Sequence, residues 1–277
     1  MNTTLPTGTN ARFSIGLVLG RTFRLIGRNF LGFATLAALV YIPEIAIEQL
    51  EATGTFIKSI STIAPEYPGS GYFMLLLLKT LISGALPFIL QAAFIETAIS
   101  EERSALSTIR RGLGSILQSL GPLAAIGFIA TLPTALTEVF RFRHDFALFA
   151  LLAVPEIALS VAWAVVVPAF IDERRPIFDA FSRSWRLTRG HRWPVFGVIV
   201  VYNIASRIVV IASNPLIVAS TWGSKLNGTH FYDVLIVSAI VQIALMTFRS
   251  TLACEIYSEL RSIKEGPRPE EIVSIFE

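Results

Sequence analysis

Arginine recurs at every third position in the stretch RSWRLTRGHRWP, residues 183 to 194, which directly precedes an apolar run. Guanidinium groups in such a row serve as a voltage sensor, a nucleic-acid arm, a phosphate-binding site or an anchor that orients a membrane helix. A voltage sensor needs its arginines inside the span, but Gly190 and Pro194 end one helix here and begin another. Nucleic acid is disfavoured because the basic residues are spread over separate segments and mixed with acids. We therefore expect a surface helix that enters the membrane and contacts anionic lipid.

Ionisable residues inside apolar runs form a second group that could do chemistry. They are Lys79, Glu156, Arg207 and Arg249. Such charges are costly in a bilayer, and they either line a polar path or form a structural ion pair while the remaining charged ends snorkel to the membrane surface. Glu156 lies at a depth where Lys79 or Arg207 can pair with it. The structural ion pair is the preferred interpretation, and a polar path is the alternative.

Histidine and cysteine are too few for a metal site or a catalytic triad. His144 and His230 fall in connections on one side of the predicted membrane, His191 falls on the other, and Cys254 is the only cysteine. A phosphate-binding glycine loop is also missing from the sequence. We therefore predict no catalytic residues, no metal and no cofactor.

The composition indicates that these residues are positioned by membrane helices. The chain of 277 residues is 53% hydrophobic and only 16% charged, and its mean hydropathy is +0.63. Six apolar runs approach the ~20 residues that span a bilayer, and none alternates as a barrel strand does. The runs are residues 30 to 49, 72 to 98, 121 to 140, 146 to 171, 194 to 213 and 231 to 256. The predicted fold class is an all-α polytopic membrane protein with six transmembrane helices.

The distribution of basic residues predicts the orientation of these spans. Of 23 lysines and arginines, 16 lie in the termini and in the connections after the second and fourth runs, and four lie in the other connections. Because positive loops stay on the cytoplasmic side, both termini are predicted to be cytoplasmic. The first 29 residues lack the pattern of a removable signal peptide.

A threefold repeat is suggested by GRTFRL at residues 20 to 25 and SRSWRL at residues 182 to 187, with a weaker copy around Arg111. Each copy predicts an amphipathic helix on the membrane surface, followed by two spans. The predicted units are residues 12 to 98, 101 to 171 and 173 to 261, followed by a cytoplasmic tail at 262 to 277.

Helical projection gives each surface helix an apolar face for the acyl boundary and a polar face for anionic headgroups. In the third copy, Phe178, Phe181 and Trp185 form the apolar face, and Asp179 is spaced to pair with Arg175 and Arg183. The arginines predicted to contact headgroups are Arg21, Arg24, Arg111, Arg183 and Arg186.

Two stretches carry a family resemblance, residues 167 to 201 and residues 254 to 276. They contain an acidic, arginine-bearing turn, then Arg183-Ser184-Trp185 and Gly190, and later Tyr257 and Leu260-Arg261. The chain resembles the bacterial membrane-domain family found fused ahead of glycerophosphodiester phosphodiesterases and as stand-alone multi-pass proteins. The resemblance implies a six-span inner-membrane protein, and the chain has no room for the soluble phosphodiesterase barrel.

The function predicted from these features is that of a non-catalytic integral protein of the bacterial inner membrane with an envelope or lipid-associated role. The alternative is a transporter or a lipid-handling permease with an intramembrane polar path. Membrane lipids are the expected partners, and nucleic acid is not expected. The tail at 262 to 277 predicts a short helix that docks on its own protein or contacts a protein partner.

Overall fold

A computed structural model describes residues 13–52, 80–82, 84–95, 105–142, 146–222 and 229–266. All regular structure in these ranges is α-helical. The helices are α1 (Ile15–Ala52), α2 (Thr80–Ile95, described apart from residue 83), α3 (Ala105–Phe142), α4 (Phe146–Ala162), α5 (Val166–Glu173), α6 (Ile177–Thr188), α7 (Arg192–Trp222) and α8 (Thr229–Glu265). The predicted all-helical class is confirmed.

Five segments are long and apolar enough to cross a membrane. They are Ile15–Tyr41, Leu106–Thr137, Ala147–Glu173, Arg192–Ser213 and Ile236–Glu265. The predicted run at 72 to 98 is described only within α2, a shorter apolar helix, and its remaining residues lie outside the described ranges. The long apolar helices are those expected of an integral membrane protein.

Two of the three predicted surface helices are set off from the following span by a break, and the second is not. In α1 the helical conformation is interrupted at Asn29 (φ −123°, ψ 23°). Between α6 and α7 the chain turns at Gly190 (φ +90°). In contrast, α3 runs through both the predicted surface helix and the predicted span, because Gly114 and Gly121 keep helical conformations. The expectation of a separate second surface helix is wrong.

Helix α2 is buried over residues 90–95 and contacts α1, α3 and α8. The rings of Phe33 in α1 and Phe94 in α2 are 4.2 Å apart between centroids. The Ser115 hydroxyl of α3 donates to the carbonyl of Ala92 (3.4 Å), and the Ser250 hydroxyl of α8 donates to the carbonyl of Pro87 (3.3 Å). Hydroxyl donors therefore bind backbone oxygens of α2 on two sides.

Small and hydroxyl-bearing side chains form much of the packing surface of the segments predicted to be surface helices. The buried ones are Thr22, Thr108, Ser115, Ser184 and Thr188, whereas Phe23, Leu106, Leu117, Phe178 and Trp185 are exposed. The Thr22 hydroxyl, for example, donates to the Val18 carbonyl of its own helix at 2.9 Å, so it is buried without an unmet polar group. Helices in membranes pack in this way, because small residues allow close approach and large apolar residues face lipid.

The fourth predicted span, 146 to 171, is broken into α4 and α5 by a turn at residues 163 to 165. Pro168 explains the position of the break, because it has no N–H to bind the carbonyl of Ala164 and its ring crowds that carbonyl. The predicted span at 146 to 171 therefore consists of two helices, within one segment that is long and apolar enough to cross a membrane.

Helix α6 satisfies the backbone groups that this break leaves free. The Ser184 hydroxyl donates to the carbonyl of Ala162 (2.8 Å) and accepts a bond from the N–H of Val165 (3.4 Å). The Thr188 hydroxyl lies 3.4 Å from the same Ala162 carbonyl. A broken helix in a membrane needs such side-chain partners, since lipid offers none.

Candidate functional site: an arginine-lined cavity and a carboxylate cluster

A cavity of about 490 Å³ lies between the shorter apolar helix α2 and the helices α3, α4, α7 and α8, which belong to segments long enough to span a membrane. Its wall carries an apolar part with Phe88, Trp163 and Met246. Its polar part includes Gln91, Asn203, Ser206, Arg207, Gln242 and Arg249. The cavity therefore offers hydrogen-bond donors, positive charge and apolar surface to one occupant.

The register of α7 and α8 places the two arginines at different depths. The Tyr202 hydroxyl donates to the carbonyl of Leu245 (3.1 Å), and the Lys264 ammonium donates to the carbonyl of Arg189 (2.9 Å), so the two helices run antiparallel. Arg207 follows Tyr202 by five residues, and Arg249 follows Leu245 by four. Arg207 therefore lies beyond this contact toward one end of the helix pair, and Arg249 lies beyond it toward the other end.

The side-chain directions bring these two arginines toward one another. Every Cα–Cβ bond of a helix tilts toward the N-terminus of that helix. Because α7 and α8 are antiparallel, Arg207 and Arg249 tilt toward the level of Tyr202 from opposite sides, and both line the cavity.

The positive charge of the cavity is not balanced by its described walls. No aspartate or glutamate is among the described residues that line it. The side chain of Gln91 is also incompletely bonded: the residue is 5% exposed, and its Oε1 atom has no hydrogen-bond partner within the described part of the chain. Two arginines at one cavity without a described acidic partner are a feature that a bound anion would satisfy.

The four predicted intramembrane charges are only partly brought together. Arg207 and Arg249 share the cavity, whereas Glu156 is not among its described lining residues and forms no ion pair with another described residue. Lys79 lies outside the described ranges. The expected pair of Glu156 with Arg207 does not form.

A second polar site joins the ends of α5 and α8 to α6, and we call it the carboxylate cluster. It consists of Asp172, Glu173, Arg183, Tyr257, Arg261 and Glu265. Glu173 accepts a bond from Nε of Arg183 at 2.8 Å, and the Tyr257 hydroxyl lies 2.7 Å from Asp172 and 3.1 Å from Glu173. Arg261 binds Asp172 and, at 3.2 Å, Glu265.

Arg183 is the centre of this cluster. Its guanidinium binds Glu173 and Glu265, which come from different helices, and its side chain is only 15% exposed. Burial lowers the pKa of Arg183, but the bonds to Glu265 and Glu173 raise the pKa above its ordinary value overall. The expected pairing of Asp179 with Arg183 and Arg175 is wrong, since both arginines bind Glu173.

The arginines predicted to contact headgroups divide into two groups. Arg21 binds Glu259 at 3.0 Å, Arg183 belongs to the carboxylate cluster, and Arg111 has an interaction of its own within the protein. Arg24 and Arg186 are exposed, and their side chains form no ion pair with another described residue. Headgroup contact stays a prediction for all five, and Arg24 and Arg186 have the side chains with most freedom to make it.

Sequence reasoning missed Gln91, Asn203 and Ser184 as important polar residues. The signal available was their polarity: each amide lies inside an apolar run, as Gln242 does, and Ser184 lies in the repeated motif.

Among the described residues no group of three or more His, Cys, Asp or Glu side chains is placed to hold a metal ion. Comparison with family models, with curated proteins and with solved structures gives no match.

Proposed function

We propose that this chain is a non-catalytic integral protein of the bacterial inner membrane that binds a ligand in the cavity between its helices, as a transporter or lipid-handling permease does. The observation that carries the proposal is that Arg207 and Arg249 converge on one cavity without a carboxylate on its described walls. This favours the polar-path alternative over a structural ion pair, because Arg207 forms no ion pair with a described acid.

The cost of the two arginines supports a functional reason for keeping them. A charged residue at the centre of a membrane helix costs about 2.5 to 3.5 kcal/mol on insertion scales. Arg249 lies near the middle of its span, Arg207 lies six residues from the end of its span, and no described acidic residue of the cavity wall offsets either charge. A polar or anionic occupant supplies the missing compensation.

Filling the cavity tests this function. Ser206 lines the cavity, and its neighbour Ala205 is exposed and does not line it. We expect Ser206→Trp to lose the lipids or small molecules that co-purify with the wild type in mild detergent, as measured by mass spectrometry. Ala205→Trp is the matched control and is expected to retain them. Equal retention by both variants contradicts a ligand in this cavity.

A lipid-associated role at the membrane surface is the second candidate. Phe178 is 78% exposed and Trp193 is 82% exposed, and Arg186 lies in α6 between them in sequence. Aromatic and arginine side chains exposed together are typical of a helix at the headgroup level. Arg24→Gln with Arg186→Gln is expected to lower the amount of co-purifying anionic lipid, and unchanged lipid contradicts the role.

The finer architecture is proposed with the function. We propose six spans, both termini in the cytoplasm, three repeated units and membership of the membrane-domain family that the sequence resembles. The charge asymmetry of the connections supports the orientation, and the breaks at Asn29 and Gly190 support surface helices in the first and third units. A protein partner of the tail at 262 to 277 stays a prediction, because most of that segment lies outside the described ranges.

A further inference from the structure

We infer that the cavity binds a phosphate ester, with Arg207 and Arg249 on opposite sides of the phosphate group. The inference rests on the proposed function, because it names the chemical class of the ligand for the same cavity. It follows from the charge of the walls, from the directions of the two arginines and from the neutral groups around them.

The charge of the described walls favours a doubly anionic group. Two guanidinium groups face the cavity, and no carboxylate shares the described lining with them. A monoanion would leave one positive charge uncompensated, whereas a phosphate monoester carries close to two negative charges near pH 7. With a dianion, each of the two guanidinium groups faces an opposite charge, so we expect a phosphate monoester to bind more tightly than a monoanion.

The geometry of the arginines favours a group with oxygens on several sides. Arg207 and Arg249 reach the cavity from two different helices, and the two oxygens of one carboxylate suffice for a bidentate bond to only one of them. A tetrahedral phosphate has three terminal oxygens, and arginine binds such oxygens in pairs through its planar fork. Two arginines at one cavity are therefore better matched by phosphate than by one carboxylate.

The neutral side chains define the rest of the ligand. The amides of Asn203 and Gln242 offer further N–H donors at the wall. The apolar wall at Phe88, Trp163 and Met246 accepts a carbon skeleton. A phosphate ester with these parts can come from a lipid headgroup or from a soluble metabolite.

The experiment measures binding of two phosphate probes by the full chain in phosphatidylcholine nanodiscs. In one arm the bilayer contains phosphatidic acid, and bound lipid is counted by native mass spectrometry. In the other arm inorganic phosphate is added, and binding is followed by protein fluorescence, since Trp163 lines the cavity. We expect the wild type to bind at least one probe. Binding of phosphatidic acid identifies a lipid source, and binding of inorganic phosphate alone identifies a soluble one.

Variants test the role of the arginines. Arg207→Gln and Arg249→Gln are each expected to weaken binding about tenfold or more, as expected for a lost hydrogen bond to a charged group. Arg207→Lys and Arg249→Lys keep the charge and are expected to bind more tightly than the glutamine variants. Arg189→Gln changes an exposed arginine outside the cavity and is the matched control.

Two results overturn the inference: a wild type that binds neither probe, or glutamine variants that bind as tightly as the wild type. If the glutamine variants do not fold, competition on the wild type decides, since excess sulfate must displace the probe and equal chloride must not. The loss of co-purifying molecules from Ser206→Trp is independent of these probes. A failed phosphate test with a positive Ser206→Trp result rejects the ligand class and leaves cavity binding in place.

Discussion

Ser184 connects three pieces of the chain through one hydroxyl group. It is fully buried, it donates to the last carbonyl of α4, and it accepts from Val165 just before α5. Its neighbour Phe181 packs against Trp163 in the turn between those helices, with ring centroids 5.0 Å apart. Because Trp163 also lines the cavity, α6 supports the cavity wall without lining it.

Removing the Ser184 hydroxyl is expected to destabilise the protein. Ser184→Ala leaves a buried carbonyl and a buried N–H without this partner, which costs about 1 to 3 kcal/mol. The apparent melting temperature in mild detergent measures the effect. Ser182→Ala, on the exposed side of the same helix, is the control and is expected to change little. Equal melting temperatures for the two variants would show that the break does not depend on Ser184.

Glu173 is the residue of the carboxylate cluster whose charge we expect to contribute most to the stability of the protein. It binds Arg175, Arg183 and Tyr257, and its side chain is largely buried. Glu173→Gln keeps the shape but leaves Arg183 with Glu265 alone, so we expect a loss of about 2 to 3 kcal/mol. Thermal unfolding measures the loss. Asp179→Asn, an exposed acid in α6, should leave the midpoint unchanged, and a similar loss in both variants would contradict the role given to Glu173.

Sequence reasoning identified Arg183 as an important residue but assigned its partners incorrectly. The prediction used Asp179, four residues away, because helical spacing is visible in a sequence. The partner in α8, Glu265, is 82 residues away, and only the packing of α6 against α8 brings it close. For the same reason the bond between Arg21 and Glu259 could not be read from spacing.

Two glycines of α3 differ in how closely a neighbouring helix approaches them. A Cβ atom added to Gly127 in α3 would lie 2.8 Å from Cβ and 2.9 Å from Cα of Ala85 in α2. At Gly121 in the same helix, an added Cβ would meet nothing within 4 Å. The two glycines therefore have different roles, although both are helical.

Alanine substitution separates these roles. Gly127→Ala is expected to push α2 and α3 apart and to destabilise the protein by about 1 to 3 kcal/mol, as overpacking does. Gly121→Ala is expected to be neutral or stabilising by up to about 1 kcal/mol, because alanine favours helix more than glycine. Thermal unfolding of both variants in one detergent measures the difference, and a Gly127→Ala midpoint at or above that of Gly121→Ala contradicts the close contact.

Helix types and approximate span positions were predictable because long apolar runs dictate them. Helix breaks were less predictable, since proline alone does not decide them. Pro122, Pro133 and Pro155 lie inside continuous helices, whereas the turn near Pro168 opens where Ser184 can satisfy the freed groups. The decisive partner is again distant in sequence.

In the whole molecule, the charge asymmetry of the connections and the long apolar helices both fit an integral membrane protein. Basic residues are concentrated on one predicted side, and α1, α3, α7 and α8 each contain a segment that can span the membrane. The existence of polar residues inside spans was predictable, but the cavity was not, because five helices contribute to it. Only the assembled helices determine which polar residues meet.

The predicted orientation can be tested with thiol labelling. Cys254 is the only cysteine and is buried, so Cys254→Ala provides a background without thiols. In this background, Ser182→Cys is expected to react with a membrane-impermeant reagent in inside-out vesicles and not in right-side-out vesicles. Ser70→Cys, in the connection after the first predicted span, should give the opposite pattern. The reverse result for the pair would place the termini outside the cytoplasm.

The break between α4 and α5 also has a consequence for kinetics. The two halves of this span are joined by three residues of turn and by hydroxyl bonds from another helix, and such bonds contribute only about 0.5 to 1.5 kcal/mol each. We therefore expect the joint to open more often than a continuous helix would. The amide hydrogen of Val165 is bonded to Ser184 across the joint, so its rate of exchange with deuterium reports how often the cavity wall opens.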